Sequence, residues 1–194
     1  MSQSSSIVNL SFIFLTILYC QESVCQLTML IYKIECPKDS ESTYVKNAVC
    51  GIQTMKNGTY AINAYLDLVR PMNYVNISLT VTFRSSNKVI FDTNFEYCSS
   101  YGHLPPFVGA VFAIVERNTK NVIHPCPYHP TNKVGAEHFI LDSNSPILSV
   151  VNFQRGDYKA LFFMRDKKHN LIFYLHCYIS INQKKAQKSS KNNG

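Results

Sequence analysis

The 194-residue chain has no tryptophan and only 7 glycines, and charged side chains make up just 16% of it. Each shortage excludes something. A charge content this far below the ~25% of ordinary globular chains, beside 46% hydrophobic residues, excludes a disordered polymer, so the chain folds. The scarcity of glycine leaves no phosphate-cradling loop, and neither a Gly-x-Ser-x-Gly elbow nor a His-Glu-x-x-His pair occurs. Glu96 and Asp142 have no partner that would make an acid–base couple. The usual foundations of an enzyme are missing, and the reading is of a protein without catalysis or cofactor. No apolar run reaches the ~20 residues that a membrane helix requires.

What the chain does contain is 12 Tyr and 12 Phe, a bias that suits pleated, half-buried strands. The length fits one domain of ~100 to 150 residues with some excess at the ends. The formal charge is +7, but Lys184, Lys185, Lys188 and Lys191 crowd into the polar tail QKKAQKSSKNNG, residues 183–194. That tail reads as a disordered, solvated end, with a tether for phosphate or anionic lipid as the alternative. No nucleic-acid role is assigned.

The opening residues point to export. Residues 7–20 (IVNLSFIFLTILYC) form an apolar run too short to span a bilayer, followed by polar Gln21, Glu22 and Ser23. Residues 2–6 lack the Lys or Arg usual in a signal peptide, yet Ser23 and Cys25 fit the small positions before a cleavage at Gln26. Residues 1–25 are therefore expected to be a signal peptide, and the product is expected to be secreted with no transmembrane segment. A cut before Gln21 or Val24 would instead retain Cys25. Asn57-Gly58-Thr59 and Asn76-Ile77-Ser78 are glycan acceptors, which have meaning only in the secretory pathway.

Period-2 alternation dominates the rest. Val75, Ile77, Leu79, Val81 and Phe83 alternate with Asn76, Ser78, Thr80, Thr82 and Arg84, which predicts a strand with one buried face and puts Asn76 on the wet side. Leu30, Tyr32, Ile34 and Cys36 share a face of a first strand, and a second runs over residues 45–55. Tyr60, Ile62, Ala64, Leu66 and Leu68 mark a third. After a turn at Ser85-Ser86-Asn87, Val89, Phe91, Thr93, Phe95 and Tyr97 form another dry face. Gly156-Asp157 opens a strand over residues 158–165, Lys167-Lys168-His169 turns it, and Leu171, Phe173, Leu175, Cys177, Ile179 and Ile181 line the last strand, with His176 pointing away. Short, hairpin-connected antiparallel strands predict an all-β sandwich. One stretch breaks the pattern: Phe107, Val108, Val111, Phe112 and Val115 recur at three- and four-residue intervals behind Pro105-Pro106, predicting a short helix over residues 105–117.

Of the seven cysteines, Cys20 and Cys25 leave with the signal peptide, so five remain and one thiol stays free, unless Cys25 survives. Spacing alone does not give connectivity. Placement on the predicted elements favours local bridges: Cys36 and Cys50 lie at the end of one strand and within the next, while Cys98 and Cys126 flank the helical excursion. His124-x-Cys126-x-x-His129 has the look of a metal site, but a bridged cysteine supplies no thiolate, so no metal is assigned.

Several elements together resemble a known family. Asn121-x-x-His124-x-Cys126-Pro127-Tyr128, Cys36 with Cys50-x-Ile52, Val89-Ile90-Phe91 leading to Cys98, and Gly156-Asp157-Tyr158 resemble, in order, the pattern of a large insect family of secreted proteins of unknown function. That family is related to the CheB proteins and, more distantly, to the lipid-recognition (ML) and ganglioside-activator proteins. Glu96 stands where the family usually has Asp, and Cys177 has no counterpart in the pattern. By analogy with related sandwiches the resemblance adds a rival bridge, Cys36 to Cys177. It implies an immunoglobulin-like, ML-like sandwich over residues 26–182, splayed enough to hold an apolar ligand.

The inward positions nominated for such a ligand site are Leu66, Leu79, Val81, Phe83, Phe91, Phe95, Phe162, Phe173 and Leu175, with Phe107, Val111 and Phe112 of the helix near its mouth. The expected function is a secreted carrier of small hydrophobic ligands, lipids or cuticular semiochemicals in a chemosensory setting. The alternative is an extracellular cystine-bridged module with a fully packed core that binds another protein or receptor.

Overall fold

In the computed structural model, residues 27–56, 59–119, 122–140 and 153–183 are described. The expected signal peptide, the glycan acceptor Asn57 and the expected basic tail, apart from Gln183, which ends the last strand, lie outside them, as do Cys20, Cys25 and Asp142. Eight strands form: β1 (Leu27–Glu35), β2 (Val45–Thr54), β3 (Tyr60–Leu68), β4 (Asn76–Phe83), β5 (Lys88–Glu96), β6 (Thr131–Phe139), β7 (Gly156–Arg165) and β8 (Leu171–Gln183). Between β5 and β6 come a single-turn helix α1 (Tyr97–Ser100) and the longer α2 (Pro106–Asn118). A larger sheet has the order β1-β8-β7-β4-β5 and a smaller one the order β2-β3-β6. Hairpins join β2 to β3, β4 to β5 and β7 to β8, each an antiparallel pair. The antiparallel sandwich expected from the alternation is the fold observed.

The alternation in β4 does what it predicts. Ile77 and Val81 are buried, whereas Asn76, Ser78, Thr80 and Thr82 take the opposite face. Pro106 opens α2 at a position where its missing N–H costs nothing, and Phe107 and Val108 are buried at once.

Two dry faces differ from expectation. Val89 is 52% exposed, because Val81 pairs with Phe91 and Thr82 with Val89, leaving Ile90 as a bulge that packs inward in its place. In β1 the buried side chain is Met29, while Leu30 is 42% and Tyr32 39% exposed. In β8 a bulge at Ile172, opposite Met164 and Arg165 of β7, sets that side chain into the core beside Phe173. Strand β6 escaped prediction altogether. It has no clean alternation, and Lys133, Gly135 and His138 adopt positive φ within its length. Gly135 is needed there, since a Cβ would stand 2.5 Å from Tyr65 Cα of the neighbouring strand.

Disulfides join Cys36 to Cys50 and Cys98 to Cys126, with Cα separations of 5.3 and 5.4 Å. The rival pair with Cys177 does not form; that cysteine is free.

Candidate functional site

The inner face of the larger sheet is covered in two ways. Over one half lies the smaller sheet: Val45 and Leu68 meet Ile77, Ile172 and Phe173 in a cluster completed by Met72, Val75, Tyr97 and Tyr128. Over the other half lies α2. There Met29, Val81, Phe107, Phe153, Tyr158, Ala160 and Ile181 are buried together, and among the described residues no strand of the smaller sheet contributes.

The nominated residues divide between these halves. Leu66, Phe95, Phe112, Phe162, Phe173 and Leu175 belong to the sheet-covered cluster. Leu79, Val81, Phe83, Phe91, Phe107 and Val111 belong to the helix-covered one. Within each, some are core rather than wall: Phe173, Val81 and Phe107 are buried, while Leu79, Phe83, Phe91 and Val111 are half-buried. Helix α2 straddles the boundary, turning Phe107, Ala110 and Val111 to one cluster and Phe112 to the other.

At the open end of the helix-covered half is a cavity of about 390 Å³, within the size range of small-ligand sites. Its lining is Phe83, Ser86, Lys88, Val89, Ile90, Gln154 and Tyr158. Phe83 makes its floor and rests against Gly156: φ there is +144°, and a Cβ would stand 2.8 Å from Phe83 Cζ, so only glycine leaves room for that ring. The Tyr158 hydroxyl donates to the Gln154 carbonyl at 2.7 Å, and burial pushes its pKa up, so the group stays neutral. From the floor the rings continue inward. Phe83 is 5.1 Å from Tyr158, Tyr158 is 5.2 Å from Phe153, Phe153 is 6.3 Å from Phe107, and Phe107 is 4.2 Å from Phe91, centroid to centroid. Of these, Tyr158 and Phe153 were not nominated. Tyr158 was visible in Gly156-Asp157-Tyr158, whereas Phe153 had no periodic context.

A larger cavity of about 750 Å³ lies at the other end, among Ser42, Thr43, Tyr44, Met72, Asn73, Tyr74 and the β7–β8 turn with Lys167 and Lys168. Its lining is of turns and polar groups. Asp166 there is committed to the turn itself, accepting from the Lys168 and Asn170 amides and from Asn170 Nδ2.

The remaining singled-out residues have structural roles. Tyr128 of Cys126-Pro127-Tyr128 is buried, its backbone bonded both ways to Met72 and its hydroxyl to the Val122 carbonyl at 2.6 Å. Glu96 caps α1, accepting from the Cys98 amide at 2.8 Å and the Ser99 amide at 2.6 Å. Burial would raise its pKa, but these bonds and the Ser99 hydroxyl outweigh it and hold the carboxyl below its ordinary range. His124 stacks on Tyr128 at 4.2 Å, and no metal-binding cluster occurs among the described residues. His176 is half-buried beside Tyr174, its pKa lowered by burial and by Lys159. The Cys177 thiol faces the helix-covered cluster, and burial pushes its pKa up to about 12, which keeps it unreactive. Asn76 opens β4, half-buried, opposite in direction to Ile77.

Fold and site together define the class: a disulfide-bridged antiparallel sandwich with a helix roofing half of its larger sheet. No protein-family model matches the chain, and no curated protein matches it in sequence. Among solved structures, chicken MD-1 complexed with lipid IVa is similar, with 9% identity, a TM-score of 0.38, and coverage of 80% of this chain and 90% of that one.

Proposed function

We propose that the protein is a secreted carrier of small hydrophobic ligands, lipids or cuticular semiochemicals, with no chemistry of its own. The observation that carries this reading is the ring series from Phe83 to Phe91. It makes one continuous apolar cluster from the wall of an open cavity to the underside of α2. Each strand of the smaller sheet is tied to its neighbours by a backbone ladder, whereas α2 has no such ladder to a covering layer and is held on the larger sheet by side-chain packing, which a ligand chain can replace. Each Å² of apolar ligand surface removed from water would contribute ~25 cal/mol.

The resemblance to the insect secreted family and its ML relatives supports the same reading. Export is supported by two disulfides, which persist in oxidising compartments, and by the apolar leader of residues 7–20. In this reading the mature domain starts at 26 and runs to the end of β8 at Gln183, one residue beyond the expected boundary, residues 184–194 form a solvated tail, and Asn57 and Asn76 carry glycans. No helix among the described residues is long and apolar enough to cross a membrane.

The test is native mass spectrometry of protein secreted from insect cells. A co-purified apolar molecule on a chain that begins at Gln26 and loses mass on deglycosylation is the expected result. A ligand-free chain that binds no apolar probe would make the packed interaction module the better account.

A further inference from the structure

We infer that the Phe83–Tyr158 cavity selects a monoanionic, single-chain amphiphile, a long-chain carboxylic acid, whose carboxylate sits at Lys88. The inference rests on the carrier reading and adds the ligand class to it. Among the described residues the lining contains one formal charge, that of Lys88, and two neutral polar side chains, Ser86 and Gln154, beside Phe83, Val89, Ile90 and Tyr158. An occupant therefore meets apolar surface below and a single cation at the rim.

That cation is placed by the hairpin. Lys88 is the first residue of β5 and pairs with Phe83 at the end of β4, so the ammonium-bearing stem and the floor ring stand side by side. Lys88 is exposed and enters neither of the ion pairs found among the described residues, Lys33–Glu35 and Lys133–Glu137. Asp92, the next acid along β5, is taken by the Thr80 hydroxyl at 2.7 Å on the opposite face. A carboxylate offers one charge to match one ammonium, while a phosphate dianion would leave charge uncompensated against an aromatic floor. From Lys88 the alkyl chain lies in the cavity against Phe83, Ile90 and Tyr158. The cavity volume suits one chain rather than several.

The experiment uses the full secreted chain and N-phenyl-1-naphthylamine, an uncharged fluorescent probe, displaced by hexadecanoate or by hexadecan-1-ol. The two competitors share the chain and differ in the head. The wild type should prefer the acid by roughly fivefold, the scale of one exposed ion pair, and the preference should fall with added salt. Lys88→Gln should abolish it without changing alcohol binding, Lys88→Arg should keep it, and Lys88→Glu should reverse it. Equal displacement by acid and alcohol in the wild type, or a preference that survives Lys88→Gln, would overturn the inference and leave the carrier reading standing. If the probe and both competitors fail to bind, the carrier reading falls and takes the inference with it.

Discussion

The ring of Phe83 occupies the space that a side chain on Gly156 would need: a Cβ there would stand 2.8 Å from Phe83 Cζ. Glycine at the start of β7 thus sets the position of an aromatic on β4, and through it the floor of the cavity.

Gly156→Ala should therefore destabilise the fold by about 1 to 3 kcal/mol, since it adds both a strained φ and a clash. Urea unfolding measures the cost. Combined with Phe83→Ala, the loss should be clearly less than the sum of the two single losses, because the shorter side chain removes the clash. Additive losses would show that the two positions are not coupled.

The two bridges and the free thiol are separable by chemistry. Peptide mapping should recover Cys36 with Cys50 and Cys98 with Cys126. Replacing either pair by serine should cost about 2 to 5 kcal/mol. Cys177, with its pKa pushed up to about 12 by burial, should resist iodoacetamide at pH 8 in the native protein and react in denaturant. A bridge from Cys36 to Cys177 would contradict the arrangement.

Core and wall should respond differently to truncation. Phe173 is buried between the sheets, and Phe173→Ala should cost about 3 to 5 kcal/mol. Phe91 is half-buried under α2, so Phe91→Ser should unfold the protein less while weakening displacement of an apolar probe. Phe112→Ser, at the boundary of the two clusters, should show both losses. Equal destabilisation at Phe91 and Phe173 with no effect on probe binding would favour a fully packed core.

Glu96 links stability to pH. Its folded carboxyl lies below the ordinary value of 4.5, so its contribution is present above that pH and is lost as pH falls through the lowered folded value. At neutral pH Glu96→Gln should cost about 1 kcal/mol, the worth of a helix cap, and thermal melts of variant and wild type should converge in acid. Glu96→Asp should retain most of the cap, since a shorter carboxylate still reaches the amides.

The sequence was legible where one local rule governed. Unbroken alternation placed β4, and Pro106 with Phe107 and Val111 placed α2. It misled at Val89, where one extra residue reversed the parity of the strand, and at Leu30, where both faces carry apolar side chains. Strand β6 was invisible because its pairing depends on left-handed backbone at Lys133, Gly135 and His138, and polar side chains of that kind also populate loops. Of the nominated apolar positions only Phe83 lines the cavity, and the others fall into two packed clusters whose division was not legible. Which half of the larger sheet receives a strand and which a helix is settled by contacts across the chain, which periodicity does not encode. Lys88 and the Phe83 floor depend on the same long-range pairing.

The sheet margins bear on behaviour at high concentration. Of the four outer strands, β2 is bulged around Asn47, whose Nδ2 donates to Asp67 at 2.8 Å, β5 is bulged at Ile90, and β6 is interrupted at three left-handed positions. The fourth, β1, carries the Lys33–Glu35 ion pair. On β2, β5 and β6 a neighbouring molecule would find no straight row of free amides and carbonyls on which to add a strand, and on β1 it would meet charge. The left-handed positions that hid β6 from prediction, with the bulges of β2 and β5, thus guard against edge-to-edge aggregation, a hazard for any β-protein at high concentration.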